Sequence, residues 1–330
     1  MPRTHAPRRG SLGFRPRGRA RDESVRFKSW PESEKPQPLG FAAYKVGMTH
    51  LIASQTRKGA SSQGMDVTIP VTVLAVPPLK VFGVRAYQKS YQGSVVLTDV
   101  LAEKTDSLLR RRLNSLKKSK PADFALIEKN AQRVTDVRIL AHTNRNDATG
   151  VKKPHVFEIG IGGKSTEEKL SYAKNALGKD ISFSDVFAEK EFIDVKAVTT
   201  GKGWQGPVKR WGVKIQPHKS QKQRVVGSIG PWHPNATQWT VPMPGNMGYW
   251  TRTELNKKIV KIGANGKEVT PNGGFLHFGD LDCAYALIEG SLQGPAKRVL
   301  GLRKAARPPA REKIKIGEVK HVSVSPKQGN

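Results

Sequence analysis

The sequence predicts a mainly β protein with an α/β insertion and long basic extensions. Most of its apolar runs are short, rich in β-branched residues and bounded by glycine or proline, which is typical of strands. Apolar residues recur at the three-to-four-residue spacing of a helix only in the middle of the chain. Lysine and arginine exceed aspartate and glutamate by 57 to 27, a net charge of +30, and most of this excess lies outside that middle region. With 330 residues, the chain can also bury a substantial core.

The N-terminal extension is predicted to span residues 1–38. Its first 21 residues contain seven arginines and no acidic residue, and three prolines follow before the first apolar run. This composition favours a disordered segment that binds a polyanion. A mitochondrial presequence is an alternative, but the segment has too much glycine and proline for an amphipathic helix.

Residues 39–98 are predicted to form the first part of a β domain. The apolar run over 39–54 indicates a strand with a turn at Gly47, and the β-branched run over 65–76 indicates a second strand. Strand character resumes at Val81, after a pair of prolines. An antiparallel meander is the simplest connection between these strands.

Residues 99–184 are predicted to form the α/β insertion. From Asp99 to Asp194 there are 18 basic and 15 acidic residues, and the net charge of +3 is typical of an ordinary solvated surface. The predicted elements are a helix over 99–119, strands over 134–143 and 154–162, and a helix over 166–177 whose start has Ser165 and Glu168 in capping-box spacing.

The last third of the chain returns to β character. Residues 185–201 are expected to supply one strand of the β domain, and residues 259–306 its second part, followed by a polar tail over 307–330. The predicted strands lie over 192–200, 256–263, 273–292 and 298–305.

A G-x-G-x-x-G pattern occurs at Gly201, Gly203 and Gly206. In a dinucleotide site, this pattern is followed by a helix and by an acidic residue about 20 positions on. Here Pro207 and the residues after it predict no helix, and no acidic residue follows before Glu254. The glycines are therefore expected to allow a turn with close approach to phosphate or RNA.

A second glycine-rich turn, "EIGIGGKST", resembles a phosphate-binding P-loop in its order of strand, turn, lysine, serine and helix. The P-loop pattern requires a glycine where this chain has Glu158, and a carboxylate there would repel phosphate. A helix cap explains Ser165 equally well. Phosphate binding by the Gly160–Ser165 turn is left open.

Catalytic and metal-binding patterns are not found in the sequence. The eight histidines include no H-x-x-x-H pair, and the single Cys283 can form neither an internal disulfide nor a cysteine-based zinc site. We therefore predict no catalytic residue, no metal and no cofactor. The sequence also contains no apolar run of 18 residues and no secretory signal, so a cytoplasmic protein is expected.

The segment over 202–258, here called the finger, combines positive charge with aromatic residues. No acidic residue occurs from Val195 to Thr253, and this stretch holds five of the six tryptophans. It has few Leu, Ile or Phe residues from which to build a core. Its cations are expected to meet phosphates while its rings stack on bases or sugars.

The tryptophans of the finger have alternative interpretations. Trp204 and Trp250 are as well explained by packing under a loop of the β domain, because large aromatic residues are mostly buried. Trp232 differs, since it lies between Pro231 and His233-Pro234 with no apolar neighbours to bury it. We expect Trp232 at an exposed tip that the prolines hold stiffly.

Five motifs carry a family resemblance: "YKVGMTH", "DVKAVTTGKGWQGPVKRWG", "GSIGPWHP", "MGYWTRTELNKKIVKIG" and "GGFLHFGD" with "YALIEGSLQGPAKR" after it. Over nearly its whole length, the chain resembles the universal large-subunit ribosomal protein three family, of the archaeal and eukaryotic type. The resemblance implies a closed β-barrel of the translation-protein kind. It also implies that the finger reaches toward the peptidyl transferase centre, with Trp232 at its tip.

The function implied by the resemblance is that of a structural constituent of the large ribosomal subunit. It would bind 23S-type rRNA, support assembly and influence accommodation of A-site tRNA. Neighbouring large-subunit proteins, including protein fourteen, are the expected protein partners, and no homo-oligomer is expected. A histidine upstream of the tip is methylated in eukaryotic members, but His218 does not match its spacing.

Two other classes of protein also fit a strongly basic chain. An RNA-processing enzyme would need a general base or metal site in the finger, which has only His218 and His233 as candidates. A DNA-compacting protein would not need an aromatic loop suited to unstacked RNA. The candidate rRNA-binding residues are Arg3, Arg8, Arg9, Arg15, Arg17, Arg19, Lys202, Trp204, Gln205, Lys209, Arg210, Trp211, Lys214, His218, Lys219, Lys222, Arg224, Trp232, His233, Trp239, Arg252, Lys257 and Lys258.

Overall fold

The computed structural model describes residues 7–114, 123–143, 152–310, 312 and 315–326. Most of its regular structure is β, which confirms the fold class at that level. By its internal contacts the chain divides into two units. One comprises the residues up to Asp22 together with Val198–Arg252, and the other comprises Glu23–Ala197 and Thr253–Asn330.

Fourteen strands make up most of the regular structure in the described residues. They are β1 (Gly40–Gln55), β2 (Asp66–Ala75), β3 (Leu79–Ser90), β4 (Gly93–Leu101), β5 (Val134–Thr143), β6 (Val156–Gly160), β7 (Asp180–Ile181), β8 (Phe192–Val198), β9 (Trp204–Gln205), β10 (Gly245–Asn246), β11 (Thr251–Gly263), β12 (Tyr285–Glu289), β13 (Val299–Lys304) and β14 (Ile316–Val322). The α-helices are α1 (Ser107–Arg110), α2 (Ala125–Lys129), α3 (Thr166–Ala176) and α4 (Pro207–Trp211).

The larger sheet has seven strands in the order β13-β8-β11-β12-β2-β1-β14, and β1 also pairs with β13. Its core is built from fully buried side chains such as Tyr44, Leu74, Ile193 and Tyr285.

The turn predicted at Gly47 is wrong, because β1 runs through it with only a register shift against β2. An added Cβ at Gly47 would lie 2.8 Å from the Phe275 ring, so the small residue serves close packing.

Asp194 is a buried carboxylate in the larger sheet. It lies on β8 with no exposed surface and pairs with Arg303 of β13. Its two carboxylate oxygens also accept hydrogen bonds from the backbone N–H groups of Asn256, at 3.1 Å, and Ala306, at 3.2 Å. A buried carboxylate is tolerated when its lone pairs are satisfied in this way.

The second sheet has the order β4-β3-β5-β6, with β7 beside β3. The helix predicted over 166–177 is confirmed as α3, whose first turn is capped by a hydrogen bond of 3.2 Å from Glu168 N–H to Ser165 Oγ. The helix predicted over 99–119 is wrong within its described part. Its first residues continue β4 to Leu101, and α1 covers only four residues, while 115–122 lie outside the described residues.

The helix prediction fails because the leucines of this segment belong to two different elements. Leu101 ends the β3–β4 pairing opposite Gly83, whereas Leu109 is buried with Phe82 and Leu140. The polar tail contained a further missed strand, β14, which pairs with β1 from Leu51↔Val322 to Gln55↔Ile316. The long strand predicted over 273–292 is reduced to β12.

Candidate nucleic-acid interface

The glycine pattern at residues 201–206 leads into a short helix, α4, so the prediction that no helix follows at Pro207 is wrong. Pro207 occupies its first turn, where the absence of an N–H costs nothing, and Gly212 ends it in the left-handed conformation with φ of +68°. Gly203 is also left-handed, with φ of +66°. The helix has five residues, and its role is to place Arg210 and Trp211.

Trp211 is the centre of a cluster that we call the Trp211 cluster, formed with Arg15, Arg17 and Arg210. Its side chain is 4% exposed, and its indole N–H donates to the Met243 carbonyl at 2.8 Å. The three guanidinium carbons lie 4.5, 3.7 and 5.2 Å from the ring centre, in the order given. The ring is therefore a buried platform for cations and is not available to stack on a base.

The residues over 7–22, here called the arm, are held by backbone contacts. Ala20 N–H donates to the Tyr249 carbonyl at 2.7 Å, and Arg17 Nη1 donates to the Arg210 carbonyl at 2.9 Å. An added Cβ at Gly10 would overlap the Trp211 ring. In the described part of this segment, arginines contact carbonyl oxygens and indole rings of the same unit, and its disorder in the absence of RNA stays a prediction.

Burial and neighbouring positive charges lower the pKa of several arginines in this unit. Burial first, and then the charges of Arg210, Arg252 and Arg15, lower the pKa of Arg17. Burial followed by the charge of Arg15 lowers the pKa of Arg210, and burial lowers that of Arg252. Arg17, Arg210 and Arg252 stay charged at neutral pH, since an arginine pKa lies far above it. Their repulsion favours an anionic partner.

Three tryptophans of the finger are strongly exposed. Trp232 is 89% exposed, as expected for its position among prolines, while Trp204 is 77% and Trp239 is 64% exposed. The packing alternative therefore fails for Trp204. Trp250 is half-buried and receives a guanidinium on its ring, with the carbon of Arg252 at 5.1 Å from the ring centre. Exposed indole faces are suited to stacking with nucleobases.

Most of the other predicted contact residues of the arm and finger are exposed. Gln205 is half-buried and donates to the Lys202 carbonyl at 2.6 Å, and Arg3 lies outside the described residues. The exposed residues are Arg8, Arg9, Arg19, Lys202, Lys209, Lys214, His218, Lys219, Lys222, Arg224 and His233.

Lys257 and Lys258 lie on β11 and are engaged with the protein. Lys258 is 3% exposed and its ammonium lies 2.7 Å from the Glu312 carboxylate. Lys257 lies 2.8 Å from Glu254 and donates to the Ser291 carbonyl at 3.0 Å. Glu312 is too distant in sequence for any local pattern to reveal its pairing. These two lysines are poor candidates for phosphate contacts.

The Gly160–Ser165 turn is built as a helix cap. The N–H of Lys164 donates to Glu168 at 3.2 Å, and Gly163 N–H donates to the Ser33 carbonyl at 2.8 Å. The backbone N–H groups that a phosphate would need thus already donate to oxygen atoms of the protein. The question left open in the sequence is answered in favour of the cap.

The pairing of the arm with Trp211 is not predicted by the sequence, and Trp250 is not among the candidate contacts given above. Arg17 lies 3.7 Å above the Trp211 ring centre and 5.5 Å from that of Trp250, although both tryptophans are far from it in the sequence. The available signal was compositional, namely arginines and tryptophans in two acid-free stretches. Composition could not specify which residues meet.

Comparison with known proteins agrees with the motifs. The family model described as Ribosomal protein L3 matches residues 1–329. The chain belongs to the ribosomal protein L3 family. Similar proteins include large ribosomal subunit protein uL3 of Methanothermobacter thermautotrophicus, 47% identical with 100% of both chains covered, and uL3 of Methanococcus vannielii, 46% identical with 98% of both covered. That of Methanocaldococcus jannaschii is 45% identical, again over 98% of both.

Family membership confirms the resemblance inferred from the motifs, and the relatives named are archaeal. The chain is a ribosomal protein of the large subunit, a structural constituent of the cytoplasmic ribosome and not an enzyme. Within the described ranges, no helix is long and apolar enough to span a bilayer.

Proposed function

We propose that this large-subunit protein binds 23S-type rRNA through the arm and finger and supports assembly of the subunit. We further propose that the finger reaches toward the peptidyl transferase centre, where its Trp232 tip influences accommodation of A-site tRNA. Neighbouring large-subunit proteins, including protein fourteen, are proposed partners, and the protein is proposed to act without forming a homo-oligomer.

The observation that carries rRNA binding is the combination of exposed indole rings and exposed cations in one acid-free stretch. Trp204, Trp232 and Trp239 each present more than half of their surface, and the cations between them include Lys219, Lys222 and Arg224, all exposed. A basic groove with stacking platforms is the usual means of binding irregular RNA. Duplex DNA would leave the rings without unstacked bases.

The architecture proposed for the remaining chain is a closed β-barrel interrupted by the α/β insertion. β13 and β1 lie near opposite ends of the seven-strand order, yet they also pair with each other. This additional pairing supports closure of the sheet into a barrel. The proposed divisions are residues 1–38, 39–98, 99–184, 185–201, 202–258, 259–306 and 307–330, in the roles given above.

Salt dependence tests the rRNA contacts. In a finger variant with Lys219→Gln, Lys222→Gln and Arg224→Gln, three phosphate contacts would be lost. Each contact contributes about 0.7 to 0.9 to the slope of log affinity against log salt, so we expect this slope to fall by about 2 to 3. Binding of the full chain to large-subunit rRNA is measured over a range of salt concentrations.

The matched control removes three exposed lysines from the other unit, with Lys58→Gln, Lys89→Gln and Lys179→Gln. This control has the same net charge as the finger variant. Any difference between their salt slopes therefore reflects where the removed charges lie in the chain. An equal loss of slope in both variants would contradict binding through the finger. Hydroxyl-radical footprinting of rRNA then maps the protected nucleotides.

Trp232→Ala tests the role of the tip. Because the side chain is 89% exposed, its removal should leave folding and subunit assembly unchanged. We expect altered rates of aminoacyl-tRNA accommodation in ribosomes that carry the variant, compared with ribosomes that carry Trp239→Ala. Equal accommodation by the wild type and Trp232→Ala would refute the proposed location.

A further inference from the structure

The two edges of the second sheet, β4-β3-β5-β6, are covered differently. At the β6 edge an extended segment of the same chain lies alongside. Leu39 N–H donates to the Gly160 carbonyl at 2.9 Å, and Gly162 N–H donates to the Gln37 carbonyl at 2.8 Å. At the opposite edge β4 pairs with β3 and, among the residues described, with no other strand. This sheet thus accepts extended polypeptide on one side and has an open edge on the other.

The backbone groups at the open edge can be identified from the pairing. In an antiparallel pair, the N–H and C=O groups of successive residues point alternately toward the partner strand and away from it. Ala102, directly after β4, donates its N–H to the Phe82 carbonyl at 2.9 Å, so its backbone groups face β3. By this alternation, the backbone groups of Asp99 face away from β3.

The other end of β4 is fixed by its hairpin. Two residues join β3 to β4, and the pair Ser90↔Gly93 closes the turn. The same alternation then directs the backbone groups of Ser94 and Val96 outward. Leu97 is the extra residue of a bulge between the two registers. The open edge therefore presents outward donors and acceptors on both sides of the bulge.

The first half of β4 is exposed as well as unpaired. Residues 93–96 are all exposed, and the side chains of Val95 and Val96 are 40% and 41% exposed. Natural proteins protect an open edge with lysine or proline, or by covering it, because such an edge readily pairs with another chain. β4 contains neither lysine nor proline.

The charge of this edge favours a protein partner over RNA. Asp99 is the one charged residue in the sequence of β4, and Arg85 binds its carboxylate through two hydrogen bonds of 2.7 Å. Although the chain has a net charge of +30, β4 itself brings no cation to a phosphate. An extended polypeptide needs only backbone donors and acceptors, and its apolar side chains can cover the exposed valines.

We propose that β4 docks an extended segment of a neighbouring large-subunit protein, which adds to the second sheet as a further strand. The segment carries apolar or β-branched side chains beside Val95 and Val96 and no acidic side chain beside Asp99. This inference rests on the proposed function in one respect, namely that neighbouring large-subunit proteins are partners. The arm and the finger take no part in it.

Amide hydrogen exchange tests the geometry of docking. Exchange is measured at single-residue resolution in the full chain alone and in purified large subunits. We expect the outward N–H groups of Ser94, Val96 and Asp99 to exchange on the order of a hundredfold more slowly in the subunit. The Val95 N–H already faces β3 and should be protected in both states. Equal exchange of the outward groups in the two states would overturn the proposal.

Photo-crosslinking in purified large subunits identifies what covers the edge. Benzoylphenylalanine is placed at Val95, and in a matched control at Met65, which is exposed outside the second sheet. We expect the Val95 crosslink to map, after nuclease digestion, to one segment of another large-subunit protein, and the Met65 control not to give this product. A crosslink to rRNA or to a second copy of this chain, or none, would contradict docking of a neighbouring protein.

Substitutions at Val96 test whether the backbone makes the contact. Val96→Pro removes an outward N–H and leaves the bonds to β3 in place, whereas the control Val96→Thr keeps the N–H. We expect the crosslink yield to fall by about tenfold in Val96→Pro and to persist in Val96→Thr. A second pair applies if Val96→Pro does not fold: Val96→Lys should reduce the yield, while Gln92→Lys, with the same charge at the hairpin tip, should not. Equal yields within the pair would refute pairing through this edge.

Failure of docking and failure of the proposed function give different results. A protein that keeps the finger-dependent salt slope but gives no β4 crosslink refutes only the docking site. A protein that gives the β4 crosslink, lost in Val96→Pro, but shows no finger-dependent slope refutes binding of rRNA through the finger.

Discussion

Replacing Trp211 by alanine tests whether the arm and finger have a folded core of their own. The side chain is 4% exposed, and removal of a buried aromatic residue costs about 3 to 5 kcal/mol, including the cavity left behind. The Met243 carbonyl also loses its indole donor at 2.8 Å, and Arg17 loses the ring 3.7 Å from its guanidinium carbon. These losses fall within the same cavity and are not added separately.

A loss of this size should be visible as local opening. Since each 1.4 kcal/mol is a factor of ten, protection of the α4 amides should fall by roughly a hundredfold to a few thousandfold. The measurement is amide hydrogen exchange of the full chain, read at the Gly212 N–H, which donates to the Val208 carbonyl at 2.9 Å.

Trp232→Ala is the control for Trp211→Ala, because it removes the same side chain from an exposed position. We expect a change of stability within about 0.5 kcal/mol for Trp232→Ala. Similar protection in the two variants would refute the reasoning and would mean that the cluster contributes no packing energy without RNA.

Three further predictions concern single residues. Asp194→Ala should lower the free energy of unfolding by about 3 to 5 kcal/mol, measured by denaturant titration, because Arg303 is left buried without its partner. Burial raises the pKa of Tyr44 from 10.0 to about 12, so the folded state keeps a proton that the unfolded chain loses. Between these values stability should fall by about 1.4 kcal/mol per pH unit relative to Tyr44→Phe. Gly248→Ala should destabilise the chain more than Gly212→Ala in the same denaturant titration, because only the former places a Cβ against a backbone oxygen.

Each of these predictions has a clear contrary result. An Asp194→Ala chain as stable as the wild type would show that the ion pair does not offset its own desolvation. Parallel stability curves for the wild type and Tyr44→Phe above pH 10 would show that Tyr44 titrates normally when folded. Equal effects of the two glycine substitutions would mean that the contact of the Gly248 Cβ adds nothing. The left-handed backbone would then account for the whole loss of stability, about 1 to 2 kcal/mol.

Local patterns in the sequence predicted elements whose stabilising contacts lie nearby. The cap of α3 was visible because Ser165 and Glu168 are three residues apart and bond each other. Alternation and β-branched residues located β2 and β5 closely. Leucine spacing misled over 99–119, because Leu101 pairs in a strand while Leu109 packs in a separate cluster. The weakly apolar β14 is a strand because β1 supplies its hydrogen-bonding partner.

By itself, the sequence determined the family, the mainly β class and the concentration of cations and tryptophans in acid-free stretches. These properties depend on residue identity and local order. Only the tertiary structure decided that Trp211 is a buried platform for Arg15 and Arg17 and that Lys258 is bound by Glu312. The physical reason is that burial and ion pairing depend on partners far apart in the chain, which composition and local periodicity do not specify.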